Sequence, residues 1–248
     1  MEEYRNIKLV LEYEGTGLAG WQRQKDEPTV QGFLEGALLR LTQETVTVIG
    51  AGRTDAGVHA KGQVAHFKTA SPRTLEELVR GGNALLPAQI AILSAQEMPR
   101  DFHARYHARS KVYDYDLCLA PVRPALRRNF VWHLPGRLDL SAMSAALECL
   151  PGRRDFAAFQ STGTLVQNTV REMTRAELAE KGGGLVRLTL EADGFLRHMV
   201  RAVAGTLVLV GRGRITPDGF REILEARDRG RAGPTAPAQG LCLRAVKY

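Results

Sequence analysis

Cysteine is scarce. The 248 residues hold three, Cys118, Cys149 and Cys242, far apart and odd in number. No C-x-x-C occurs, which excludes a zinc knuckle and a thioredoxin-like redox pair. Separated thiols of this kind suit reduced, mostly buried side chains in a cytoplasmic protein. Long apolar runs are also missing. The most apolar stretch, HMVRAVAGTLVLVG, carries Arg201 in its middle and is too short to span a bilayer. The first residues, MEEYRNIKLV, place acids where a signal peptide has bases. A soluble chain with no membrane partner is therefore expected.

What is present is an ordinary globular composition, 44% hydrophobic and 25% charged, in a length that suits one large domain or two modest ones. The formal charge of +7 and a pI near 9.6 favour an anionic partner, nucleic acid being the commonest large one.

The patterning falls into two similar halves. Ile7, Leu9, Leu11 and Tyr13 alternate as a strand. Val30, Phe33, Leu34, Ala37, Leu38 and Leu41 recur at helical steps after Pro28-Thr29. Short strands fit Val46–Ile49 and Gln63–Thr69. In SPRTLEELVRGGN, Thr74 and Glu77 have capping-box spacing and Gly81-Gly82 end the helix. Ile90–Met98 is again a strand. The second half has a strand at Lys111–Leu119 and a helix capped by Asp139. Strands at Thr169–Glu180 and Leu185–Ala192 are joined by Lys181–Gly184. A helix over Phe195–Val210, another from Thr216-Pro217, and a strand at Leu241–Val246 complete it. Two β-α-β-β-α-β orders predict an α+β protein of two ferredoxin-like halves with antiparallel sheets joined and a cleft between them. The halves are 1–105, carrying the Asp loop described next, and 106–248.

One segment holds an isolated acid in a glycine-rich frame: GAGRTDAGVHA, Gly50–Ala60. Asp55 in such a setting is either a turn residue bonded to nearby backbone N–H groups or a carboxylate presented for chemistry. Gly50, Gly52 and Gly57 permit close backbone approach, and Arg53 offers a guanidinium for a carboxylate or phosphate. Spacing alone leaves both readings open. Arg201 is the second oddity, a cation among Met199, Val200, Val203 and Leu207. Unpaired burial there costs several kcal/mol, on the order of 3–5, unless its head reaches water. Tyr113 shares a strand face with Tyr115, Leu117 and Leu119, where a core tyrosine is the plain reading.

GAGRTDAGVHA resembles the signature loop of the tRNA pseudouridine synthase A family. GLAGWQRQ, RDFHARYHARSKVYDYDL, ADGFLRHMVRAVAGTL and APAQGLCLRAVKY resemble that family's other blocks, in the same order and over nearly the whole chain. The resemblance implies isomerisation of uridine to pseudouridine at positions 38, 39 and 40 of the tRNA anticodon stem-loop, by a homodimer and without cofactor, metal or nucleotide. It assigns Asp55 as the catalytic carboxylate, nucleophile or base, and Arg201 as the cation paired with it. Tyr113 becomes the residue stacked on the target base, with Tyr115 left to packing. Arg53 would contact a phosphate or hold the flipped base's place.

The runs Arg127-Arg128, Arg153-Arg154 and Arg227/Arg229/Arg231 suit a phosphate backbone collectively and predict salt-dependent binding. His103 and His107 are four apart, but His59, His66, His133 and His198 are scattered and complete no ligand set. RNA contact or ordinary surface use is expected of them. Two rival readings are a non-catalytic RNA-binding or RNA-chaperone protein on the same fold, and an unrelated carboxylate enzyme such as a glycoside hydrolase. The Asp55–Tyr113–Arg201 trio argues against the first. The want of a second acid in a comparable setting argues against the other, since Asp114 and Asp116 lie on the opposite strand face from Tyr113.

Overall fold

The computed structural model describes residues 4–161, 163 and 168–248. They form two compact units, one of residues 4–109 with 243–248, the other of the described residues between 110 and 242.

The first unit follows the order β1 (Arg5–Tyr13), α1 (Val30–Thr42), β2 (Ile49–Gly50), β3 (His59–Thr69), α2 (Leu75–Leu85) and β4 (Ile90–Met98). β1 is central, antiparallel to β3 and to β4, with Leu9 opposite Ala65 on one side and Ala95 on the other. Its alternation sets one face inward: Ile7, Leu9 and Leu11 are fully buried. β2 pairs antiparallel with β3 at its outer side. This strand is later and shorter than Val46–Ile49 suggests, because Val46 and Val48 bury their side chains without joining the ladder.

Both helices start where capping chemistry puts them. The Thr29 hydroxyl accepts from Gly32 N–H, and Thr74 with Glu77 closes a reciprocal capping box. α2 runs through Gly81-Gly82, however, to Leu85. These glycines are close-packing positions: a Cβ at Gly82 would stand 2.5 Å from Ile92 Cδ1, and one at Gly81 2.8 Å from Leu41 Cδ1.

The second unit comprises β5 (Ser110–Cys118), β6 (Trp132–His133), α3 (Leu140–Leu147), β7 (Gly152–Asp155), β8 (Val170–Glu180), β9 (Leu185–Ala192), α4 (Met199–Gly211) and α5 (Pro217–Ala226). Its sheet runs β5-β9-β8-β7, antiparallel throughout, with β6 parallel to β5. α3, α4 and α5 pack on one another and supply the core around Met143, Val203, Leu207 and Phe220. α4 begins four residues later than periodicity suggests. His198 takes the left-handed conformation (φ +61°), which stops the helix from extending back to Phe195.

A last strand, β10 (Leu241–Lys247), lies beside β3 over the part that belongs to the first unit. Val246 and Tyr248 pack there against Val64, Phe102 and Ala104. The Tyr248 hydroxyl donates to Ala104 O at 2.7 Å.

Candidate active site

Asp55 sits in the connection between β2 and β3, and the chain reaches β3 four residues after it. A second loop, Gly15–Trp21, grips this connection. Trp21 N–H donates to Thr54 O at 3.0 Å and Gly57 N–H to Leu18 O at 3.3 Å, while Val58 N–H closes the turn on Asp55 O at 3.1 Å. The Thr54 hydroxyl is buried on Tyr13 Oη at 2.8 Å. Two glycines make the approach possible. A Cβ on Gly15 would lie 2.2 Å from Val58 O, and one on Gly20 (φ +93°) 2.6 Å from Thr54 O. The segments GLAGW and GAGRTDAGVHA are thus two halves of one mould.

That mould is braced from behind by polar side chains of α1. Gln31 Oε1 accepts from Gln22 Nε2 (2.6 Å) and Arg23 N–H (2.9 Å). Glu35 is buried, accepting from Arg23 Nη1 and Gln31 Nε2 at 2.9 Å each and from Val48 N–H at 3.0 Å. Both oxygens of this buried carboxylate are thus engaged by donors. Sequence reasoning missed Gln31 and Glu35; their polar side chains within the otherwise apolar face of α1 were the available signal. Gln63 adds a third brace, donating to Gly52 O at 2.9 Å.

His59, the second residue after Val58's neighbour Gly57, is buried and accepts Gly15 N–H on Nδ1 at 2.9 Å. Accepting there places its proton on Nε2. His66 is buried too, accepting Ala104 N–H at 3.1 Å. Burial first, and the neighbouring His103 next, push its pKa down to about 4. Surface use is therefore wrong for both: they satisfy backbone donors that water cannot reach. Among the described residues, no group of three or more His, Cys, Asp or Glu is placed to hold a metal ion.

Asp55 is half-buried and Arg53 exposed, so the two side chains of GRTDAG meet solvent differently. Tyr113 and Arg201 belong to the second unit. Tyr113 is buried and meets the edge of Phe195 at 5.0 Å, ring planes 78° apart. Its neighbour Tyr115 is fully buried and donates to Pro237 O at 2.8 Å; burial pushes that phenol's pKa far up. Every residue of α4 except Arg201 and Leu209 is buried. Arg201 Nε donates to Ala236 O at 2.8 Å, and Ala236 N–H returns a bond to Arg201 O at 3.0 Å. Gly205 allows this reciprocal clasp, since a Cβ there would sit 1.8 Å from Pro234 O. The guanidinium is accordingly fixed in orientation before any ligand arrives.

On the opposite face of β5, Asp116 takes both Nε and Nη2 of Arg187 (2.7 and 2.8 Å), and Asp114 accepts from Thr189 Oγ1 at 2.8 Å. These acids are committed to β9. Part of the basic character is likewise spent internally. Arg229 ties Ala232 O, Gly233 O and Thr235 Oγ1 together, and Arg227 pairs with Asp155 at 3.2 Å.

An RNA-modifying enzyme of the pseudouridine synthase fold is the class this α+β architecture and carboxylate loop define. The family described as tRNA pseudouridine synthase matches over residues 9–107 and 146–248, and the chain belongs to it. A protein of Pelobacter propionicus called tRNA pseudouridine synthase A is 48% identical over 98% of this chain and 100% of its own. A namesake from Chloroflexus aurantiacus is 50% identical over 98% of this chain and 89% of its own. One from Moorella thermoacetica is 46% identical over 98% and 99%. A Cbf5–Nop10–Gar1 complex overlaps 81% of the chain and 54% of its own at 15% identity and a TM-score of 0.31, too slight a likeness to carry an argument.

Proposed function

We propose that the protein isomerises uridine to pseudouridine in tRNA, at positions 38, 39 and 40 of the anticodon stem-loop, acting as a homodimer in the cytoplasm. The observation that carries this reading is the clamped Asp55 loop in a chain of the tRNA pseudouridine synthase family. In the reaction C1′–N1 breaks, the uracil turns, and C1′–C5 forms. The C5 proton leaves and N1 gains one, so substrate and product have the same atoms and no redox partner enters.

Asp55 supplies the carboxylate, as nucleophile or as the base that takes the 2′ proton; both roles need it ionised. Burial of a carboxylate opposes ionisation, and Arg201 supplies the positive charge that favours it. Its clasp on Ala236 supports this role, because a guanidinium already oriented costs little reorganisation during reaction. Tyr113 offers an aromatic ring to the target uracil, and Arg53 a cation for a phosphate or for the place the base vacates. Fixed donors and rings suit a rigid site to which a deformable RNA adapts. No helix among the described residues is long and apolar enough to cross a membrane.

The test uses unmodified tRNA transcripts with uridines at 38–40, wild-type protein and Asp55→Asn. Pseudouridine is mapped at single-nucleotide resolution while binding is followed by filter retention at two salt concentrations. Wild-type conversion with a variant that binds and does not convert is the expected result. Binding by both proteins with conversion by neither makes this an RNA-binding protein and returns Asp55 to turn chemistry.

A further inference from the structure

Between β4 and β5 the chain makes a short turn, RDFHARYHAR (Arg100–Arg109), whose inner half is fastened to the first unit and whose outer half is not. Asn6 Nδ2 donates to Phe102 O (2.8 Å) and to Pro99 O (3.1 Å). Ala104 N–H donates to His66, and Ala104 O accepts from Tyr248. Arg109 N–H donates to Lys247 O at 2.8 Å. Phe102 is buried against Tyr248 at 5.2 Å between ring centroids. Outside this anchorage stands Tyr106, 76% exposed. Its inner face lies on the His103 ring, with centroids 4.2 Å apart and planes 27° from parallel.

The pedestal is rigid as well as exposed. His103 Nδ1 accepts both Arg105 N–H and Tyr106 N–H at 3.2 Å, and His107 N–H donates to His103 O at 3.0 Å. Only an unprotonated Nδ1 accepts these bonds. Partial burial and then the charges of His107 and Arg105 hold the His103 pKa below its usual value. His103 in turn leans on His66 at 4.8 Å. Tyr106 therefore presents one ring face to solvent with its other face already occupied, an arrangement that hides no apolar surface of its own protein. Arg105 adjoins Tyr106 in the chain, Arg100 and Arg109 bound the same ten-residue turn, and Lys247 O accepts Arg109 N–H; all four are exposed, against one exposed acid within the turn, Asp101.

We propose that Tyr106 is a stacking platform for an unpaired base of the tRNA substrate, with the arginines of the turn on the adjacent phosphates. The inference rests on the tRNA reading above and adds a contact outside the Asp55, Tyr113 and Arg201 set. A fixed aromatic face with cations on the same turn is the chemistry that holds single-stranded nucleotides, each stacked base contributing about 1–3 kcal/mol. A protein partner is disfavoured, because Tyr106 is the only large exposed apolar side chain of a turn that carries three exposed arginines, too little for an apolar patch.

The experiment measures tRNA affinity by fluorescence anisotropy at several salt concentrations, and pseudouridine formation on the same tRNA. The proteins are wild type, Tyr106→Ala, Tyr106→Trp and Arg105→Gln, each checked by urea unfolding. Tyr106→Ala is expected to weaken binding about five- to a hundredfold and to raise KM, with kcat at saturating tRNA unchanged. Its salt slope stays that of wild type, because no phosphate contact is lost. Arg105→Gln lowers the slope by about 0.7–0.9. Tyr106→Trp binds as wild type, and its added indole fluorescence, over the signal of Trp21 and Trp132, is quenched when tRNA binds.

Tyr106→Ala with wild-type unfolding and a Kd within twofold of wild type overturns the proposal. So does an unquenched Tyr106→Trp, or a change in oligomeric state with tRNA affinity intact. Should wild type convert no tRNA uridine while Tyr106 still governs tRNA binding, the reaction assignment falls and the platform stands.

Discussion

Replacing Gly20 by alanine tests whether the GLAGW loop positions the carboxylate of Asp55, proposed above as catalytic. Two costs arise there. A residue with a Cβ at φ +93° is strained by about 1–2 kcal/mol. The new Cβ also stands 2.6 Å from Thr54 O and 3.0 Å from the Asp55 carbonyl carbon, both backbone atoms that no rotamer change can move aside. Restoring an ordinary contact of roughly 3.4 Å requires a shift of about 0.8 Å in the Thr54–Asp55 peptide, with overpacking adding about 1–3 kcal/mol. Gly17 is the internal control, since its φ of +76° carries the same strain while a Cβ there meets nothing within 4 Å. Both variants should lose stability in urea unfolding, Gly20→Ala by about 2–5 kcal/mol and Gly17→Ala by about 1–2 kcal/mol. Their single-turnover rates on unmodified tRNA at saturating enzyme should diverge. A displacement approaching 1 Å costs on the order of 100-fold, so Gly20→Ala falls by about that factor and Gly17→Ala stays within about threefold. Equal rates in the two variants would refute the idea that contact between the loops holds Asp55 in place.

Arg201→Lys keeps the charge of α4 but loses the Nε bond to Ala236 O, so kcat should drop at least about tenfold with tRNA affinity little changed. A lysine enzyme of wild-type kcat would show that charge alone suffices. His66 makes stability depend on pH. Its folded pKa of about 4 lies below the unfolded value of 6.5, so the unfolded chain binds the extra proton and stability falls as pH drops from 6.5 toward 4, then levels. The loss is at most about 1.4 kcal/mol per pH unit and about 3 kcal/mol in all. His66→Gln should flatten that interval in urea titrations, and an unchanged slope would remove His66 as its source.

Local signals carried much of the fold. The alternation of β1 and the capping box of α2 each depend on residues within one element, and both stand where the pattern puts them. What failed depended on partners distant in the chain. Gly81-Gly82 has the composition of a helix stop, yet Leu41 and Ile92 need the space that a side chain would take. Gln31 and Glu35 interrupt the apolar face of α1, but nothing near them in sequence names Gln22, Arg23 and Val48 as the groups that engage them. The residues from Leu243 onward belong to the first unit, where Tyr248 reaches Ala104, a pairing across 144 positions that no window of sequence contains.

The site shows the same division. GAGRTDAGVHA is legible because the proposed catalytic acid, Asp55, and its turn glycines fall within eleven residues. GLAGW is legible only as a companion block, since nothing in its spacing says that it lies on Thr54 and Val58. The physical link is steric: across the loops Gly15–Trp21 and Gly50–Ala60, a Cβ on Gly15, Gly20 or Gly50 would stand less than 2.7 Å from an atom of the opposing loop. Gly50 meets the Trp21 ring, so each loop supplies glycine where the other supplies bulk. Such complementarity holds the Asp55 backbone by shape and by the Trp21–Thr54 and Gly57–Leu18 backbone hydrogen bonds.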